Sequence, residues 1–152
     1  MLHKNTTGKI IKAFYEVNNK LGFGFLEKVY ENAMAIELGK IGCTVSKQKN
    51  IKVYYDKEEV GDYYADLIVD DLVIVELKVA ETICEHHEFQ LINYLKATQI
   101  EVGILLNFGK KAEFRRKIFI LKPIWFSVLP ETKSWLQLYS LHFFSDFIRK
   151  PL

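Results

Sequence analysis

The stretch from Tyr63 to Lys78, YYADLIVDDLVIVELK, sets Asp66, Glu76 and Lys78 among residues that otherwise read as buried strand. An unpaired charge in an apolar setting costs several kcal/mol or is neutralised by a proton. A divalent cation removes that difficulty, because Mg²⁺ takes hard oxygen ligands, usually one or two carboxylates together with substrate phosphates. Two acids and an amine so placed point to metal-assisted attack of water on a phosphodiester.

Strand alternation puts Glu76 and Lys78 on one face and Leu77 on the other, so acid and amine share a site while Leu77 packs inward. The register then constrains Asp66. If Asp70-Asp71 were a plain two-residue turn, residue 66 would lie opposite 75, and Asp66 and Glu76 would face opposite sides of the sheet. A shared ion requires a three-residue connection, a bulge or divergence of the strands at that end. Given one of these, Asp66 and Glu76 are the expected ligands of Mg²⁺ or Mn²⁺, with the Leu77 carbonyl as a third oxygen. Lys78 would orient or deprotonate the attacking water and offset charge building on the phosphate.

The elements that must position these groups follow from periodicity. Ile10, Ile11, Phe14, Val17 and Leu21 form one helical stripe that ends at Gly22-Phe23-Gly24. A second helix runs from Leu26 through Val29, Tyr30, Ala33, Ile36 and Glu37 to Gly39 or Gly42, with Glu27 in its first turn. Strands are expected at Thr44 to Gln48, Ile51 to Tyr55, Tyr63 to Val69 and Leu72 to Lys78, with turns at Asp56 to Glu59 and at Asp70-Asp71. His86 to Ala97 reads as helix, Val102 to Asn107 as a buried strand, and Glu113 to Ile120 as a further strand.

A chain of 152 residues that is 49% hydrophobic suffices for one well-packed domain, expected over residues 1–122. After Pro123 an aromatic-rich tail, residues 123–152, is predicted to hold a helix from Thr132 to Ile148, which either packs back on the domain or forms a homodimer contact. No run of about 18 apolar residues and no secretory signal is present, so a cytoplasmic location without membrane contact is expected. Cys43 and Cys84 are far apart and read as free thiols; Cys84, His86 and His87 lack the spacing of a zinc site. The net charge of +2 decides little about partners. Lys110, Lys111, Arg115, Arg116 and Lys117, interleaved with Phe114 and Phe119, form the densest basic cluster. It would neutralise nucleic-acid phosphates, or equally serve as a strand edge that resists aggregation.

An acid-x-Lys triplet alone is common by chance, but it stands here in a longer order of motifs. Gly24-Phe25-Leu26-Glu27-Lys28-Val29-Tyr30 precedes ADLIVDDLVIVELK, followed by Gln90-Leu91-Ile92-Asn93-Tyr94 within HEFQLINYLKAT, and then GILLNFG. Over roughly Ile10 to Lys117 this set resembles the GxxExxY protein family, a branch of the PD-(D/E)xK nuclease superfamily. The resemblance implies an α/β, restriction-endonuclease-like core with a mixed central sheet flanked by helices. It implies Glu27 as a helix-borne acid that reaches the metal through water, Asp66 and Glu76 as ligands, and Lys78 as the catalytic amine. Gln90 and Tyr94 match a QxxxY element, and their spacing of four places both on one helix face. Ala65 stands before Asp66 where the superfamily often has proline. The implied activity is a metal-dependent nuclease, on DNA in preference to RNA. The alternative from another class is an inactive nucleic-acid-binding or protein-interaction module that kept the fold.

Overall fold

The computed structural model describes residues 2–120. The tail after Pro123, with its expected helix, dimer contact and domain boundary, lies outside the described residues.

The first stripe of apolar residues becomes α1 (Lys4–Leu21), which buries Thr6, Thr7, Ile10, Ala13, Phe14 and Val17. The helix starts ahead of the expected Ile10 because two threonines supply its first buried turn, and a hydroxyl side chain carries no apolar signal. α2 (Glu27–Lys40) buries Tyr30, Glu31, Met34 and Leu38. Between the two helices the Tyr30 hydroxyl donates to the Gly22 carbonyl at 2.8 Å and accepts from the Phe25 amide at 3.3 Å. Its ring stacks on Phe108 with centroids 4.3 Å apart. The tyrosine therefore sets where α2 begins, and with it Glu27.

Five strands follow as β1 (Val45–Tyr55), β2 (Glu58–Val69), β3 (Val73–Lys78), β4 (Val102–Phe108) and β5 (Ala112–Ile118), lying in that order across one sheet. β1, β2 and β3 are antiparallel in turn, β3 and β4 are parallel, and β5 returns antiparallel. The parallel pair needs a crossover, supplied by α3 (Glu85–Ala97). This is the mixed sheet flanked by helices that was expected. Two local expectations are corrected. The two strands anticipated between Thr44 and Tyr55 are one, interrupted only by a left-handed Gln48 at φ 49°. The turn after Tyr55 is Asp56-Lys57 alone, both at positive φ, so Glu58 and Glu59 belong to β2. Such a two-residue turn matches the twist of its flanking strands.

α1 and α2 cover one face of the sheet, packing on Leu67, Val69, Val73, Val75, Leu77, Ile104 and Phe108. α3 covers the other through Leu91, Tyr94 and Leu95 against Ile51, Ile68, Ile74 and Leu105. Cys84 is the N-cap of α3, its amide donating to His87 Nδ1 at 3.4 Å, so this Cys–His pair is occupied in starting a helix. Asp70 braces the β2–β3 turn: its carboxylate accepts from Thr6 Oγ1 at 3.3 Å and from the Thr44 amide at 2.9 Å.

The loop leaving β3 is tied to β4. Asn107, fully buried, donates from Nδ2 to the Ala80 carbonyl and accepts the Ala80 amide at Oδ1, both at 2.9 Å. A Cβ added to Gly109 would lie 2.0 Å from that same carbonyl oxygen. Gly109→Ala should therefore lower stability by roughly 1–3 kcal/mol. Gly39→Ala, in α2 with open space around the new methyl, should raise it by about 1 kcal/mol. Thermal melts of the two variants check both signs.

Candidate active site

Asp70, Asp71 and Leu72 link Val69 to its partner Val73, so the connection is three residues long. Leu67 consequently faces Val75, and residue 66 comes opposite 76. The backbone ladder stops at Leu67. Beyond it two side chains replace the missing rungs: the Leu77 amide donates to Asp66 Oδ2 at 2.8 Å, and the Asp66 amide donates to Glu76 Oε1 at 3.3 Å. The pairing with β1 also lapses here, since Lys47–Leu67 and Lys49–Ala65 are paired while Gln48 and Asp66 are not. Ala65 and Ile68 both pack on the α3 side, whereas Leu67 packs on the α1–α2 side. Strand alternation thus slips at Asp66, where the two strands part.

Glu76 lies on the α3 face and is 1% exposed. Its Oε2 is 3.9 Å from Lys78 Nζ and accepts from Gln90 Nε2 at 3.4 Å. Gln90 Nε2 also donates to the Tyr94 hydroxyl oxygen at 2.9 Å, which leaves the phenolic proton free to donate elsewhere. Burial, and after it the charge of Asp66, pushes the Glu76 carboxyl up to about 8, only partly offset by Lys78. Burial raises Asp66 as well, against the Leu77 amide that favours its charged form. Both groups are carboxylates short of positive charge.

That shortage, and the hard-oxygen character of the donors, fits a divalent cation. Asp66 and Glu76 supply carboxylate oxygens from neighbouring strands, and Leu77 lies between Glu76 and Lys78. Among the described residues no group of three or more His, Cys, Asp or Glu side chains is placed to hold an ion.

Glu27 is exposed in the first turn of α2, where the helix dipole favours an acid. Its Oε1 accepts from the Val79 amide at 3.3 Å, next to Lys78. It is bonded to that strand end and to neither carboxylate, although its charge reaches Glu76 and His87. A cavity of about 440 Å³, lined by Phe25, Leu26, Glu27, Lys28 and Val79, opens beside it. The basic residues are dispersed. Arg115 and Lys117 point toward α3, with Lys117 Nζ 2.6 Å and Arg115 Nε 3.8 Å from Glu88. Arg116 donates to the Leu2 carbonyl at 2.7 Å. Lys110 and Lys111 are exposed in the β4–β5 turn, at the same end of the sheet as Lys78.

Three residues that motif reading did not single out build the site. Glu31, 3% exposed, accepts from Lys28 Nζ and Gln48 Nε2, each at 2.7 Å. Gln48 Nε2 reaches on to Asp66 Oδ1 at 3.4 Å. Asn107, opposite Lys78 in the ladder, holds the following loop. Signals for two of them were present: Glu31 is one helical turn from Glu27, and Asn107 is the one amide in an otherwise apolar strand. Gln48 had none.

Because folding raises the Glu76 pKa from 4.5 to about 8, its protonated form is the one folding favours. The contribution of Glu76 to the stability of the metal-free protein is full below pH 4.5 and declines as pH rises toward 8. Glu76→Gln removes that penalty. Its melting temperature should equal that of the unsubstituted protein near pH 4.5 and exceed it increasingly toward pH 8, by an amount on the order of a few kcal/mol in stability. Melts in EDTA across this range provide the check, and a constant difference would contradict the burial argument.

No curated protein matches the sequence. Among solved structures the fold is similar to that in the crystal structure of SSO0001, with a TM-score of 0.51 at 15% identity. The similar region covers 78% of this chain and 63% of that one, so the chain spans less than two thirds of that protein's length. Residues 4–117 match the PD-(D/E)XK nuclease superfamily. With the mixed sheet, the parted strands and the acid-x-Lys strand end in the same region, the chain belongs to the PD-(D/E)XK nuclease superfamily.

Proposed function

We propose that this protein is a metal-dependent nuclease that hydrolyses phosphodiesters, with DNA as the substrate in preference to RNA, and that it belongs to the GxxExxY branch of its superfamily. The observation that carries this reading is the reciprocal bonding of Asp66 and Glu76 across the parted strands, with Lys78 two residues further on. A pure binding module gains nothing from a buried carboxylate beside a half-buried one, since both repel phosphate. The branch is supported by Gly24, Glu27 and Tyr30, since Tyr30 anchors the connector that sets Glu27 beside Val79.

In this reading Asp66, Glu76 and the Leu77 carbonyl hold Mg²⁺ or Mn²⁺, and Glu27 contributes through water. The ion, when bound, supplies Lewis-acid charge that polarises a phosphate oxygen and acidifies a water. Lys78, kept near Glu76, would donate to that water or to a non-bridging phosphate oxygen and stabilise negative charge as the water oxygen, giving up its proton to solvent, bonds to phosphorus and the P–O bond breaks to a leaving oxygen that takes a proton from solvent. Gln90 holds Glu76 through Oε2 and fixes the Tyr94 hydroxyl, whose proton is directed to substrate or water. Lys110 and Lys111, exposed in the β4–β5 turn, would meet phosphates further along the strand, and Arg115 and Lys117 would add charge where Glu88 leaves them free to, with Arg116 turned to the Leu2 carbonyl. A cytoplasmic location is part of this proposal. No helix among the described residues is long and apolar enough to cross a membrane.

Purified protein incubated with labelled DNA and RNA should cleave with Mg²⁺ or Mn²⁺ and not in EDTA. Lys78→Ala should lower the rate by about a hundredfold or more. Mg²⁺ should also raise the melting temperature of the unsubstituted protein at pH 8, as ligand linkage requires, and leave Asp66→Ala unmoved. Cleavage undiminished in Lys78→Ala rules this site out, and tight metal-insensitive binding without cleavage favours the inactive module.

A further inference from the structure

β2 from Glu58 to Ala65 pairs with β1 alone, so the two strands project beyond the sheet as a ribbon. Four of its tyrosines, Tyr54, Tyr55, Tyr63 and Tyr64, are at least half exposed. Of these, Tyr63 is the one turned toward the site. Its ladder partner Ile51 is buried in the core beneath α3, and its ring lies 6.0 Å from that of Tyr94 at a 46° tilt. The Tyr94 hydroxyl is bonded to Gln90, and Gln90 to Glu76. Tyr63 thus stands one ring away from the groups placed around the scissile phosphate, yet is 50% exposed.

The ring lies over Gly61. A Cβ on Gly61 would lie 2.8 Å from Tyr63 Cε2 and 3.3 Å from the Val53 Cβ, so the ring edge occupies the space a side chain at 61 would fill. A flat, half-exposed aromatic beside the proposed phosphodiester site is a stacking surface for a nucleobase. Charge on the ribbon narrows the choice of ligand. Residues 49–65 carry Asp56, Glu58, Glu59 and Asp62 against Lys49, Lys52 and Lys57, and Lys52 is already bonded to Glu59 at 2.7 Å. Such a surface has no excess of positive charge to draw a phosphate backbone, leaving the base as the group it accepts. A base within a duplex has both faces covered, whereas a single strand or a frayed end offers one.

Building on the nuclease reading, we propose that Tyr63 stacks on a base next to the cleaved phosphate and gives the enzyme a preference for single-stranded over fully paired DNA. The test is steady-state cleavage of a single-stranded oligonucleotide and a blunt hairpin of the same sequence, with Mg²⁺ or Mn²⁺. Tyr63→Leu keeps apolar volume against Tyr94 but removes the flat π surface, and Tyr63→Trp keeps that surface. On the single strand Tyr63→Leu should raise KM about tenfold with kcat little changed, and Tyr63→Trp should restore KM. The salt dependence of KM should be the same in all three proteins, because Tyr63 carries no charge. Equal KM in Tyr63→Leu and the unsubstituted protein, or faster cleavage of the paired hairpin, overturns the inference while the nuclease stands. No cleavage of either DNA by the unsubstituted protein overturns both. A fall in kcat alone, which Tyr63→Trp does not reverse, assigns the ring to packing against Tyr94 and likewise overturns the inference.

Discussion

Everything at the site depends on two strands parting at Asp66. Backbone rungs that would have continued the β2–β3 ladder are replaced by a carboxylate accepting the Leu77 amide and an amide donating to Glu76. A buried peptide group left unpaired costs as much as a lost hydrogen bond, so the gap is tolerable only because acidic side chains fill it. The same bonds that mend the sheet fix the positions of both acids. Gln48, bent into a left-handed conformation on the neighbouring strand, completes the break by leaving the ladder and turning its amide toward Glu31 and Asp66.

The arrangement concentrates negative charge where solvent is scarce. Glu76 has one nearby cation, Lys78 at 3.9 Å, and an amide donor in Gln90, and these do not cancel the penalty of burial beside Asp66. A protein selected for stability alone would place apolar residues there, as it does at Ile74 and Val75 of the same strand. In the proposed reading the imbalance is readiness for an ion and a phosphate, with local stability given up at the position where chemistry is needed. The surrounding scaffold is correspondingly well tied: Asp70 braces the turn, Asn107 the outgoing loop and Tyr30 the helix connector.

Much of this was legible in the chain. Alternation in VIVELK separated Leu77 from Glu76 and Lys78, and those residues do face opposite layers, Leu77 toward α1 and α2, Glu76 toward Gln90 of α3. Helical spacing likewise set Gln90 and Tyr94 side by side. Element ends were less legible. Thr6 and Thr7 hid the start of α1, and Glu58 and Glu59 looked like turn residues because an exposed two-stranded ribbon tolerates charge on both faces. The basic run from Lys110 to Lys117 reads as one patch in sequence, yet β5 alternation sends Arg116 away from Arg115 and Lys117, and Glu88 takes up the latter two.

By itself the sequence singled out the candidate groups and determined which strand and helices bear them and that Glu76 and Lys78 share a face, since the placement follows from local periodicity. Only the tertiary structure decided that Asp66 meets Glu76. That outcome turned on the count of residues between Val69 and Val73, a single step that exchanges one face for the other. It also decided that Glu31, Gln48 and Asn107 support the site and that Tyr63 stands at its edge. Each of these is brought there by contacts between elements distant along the chain, and no local spacing encodes them.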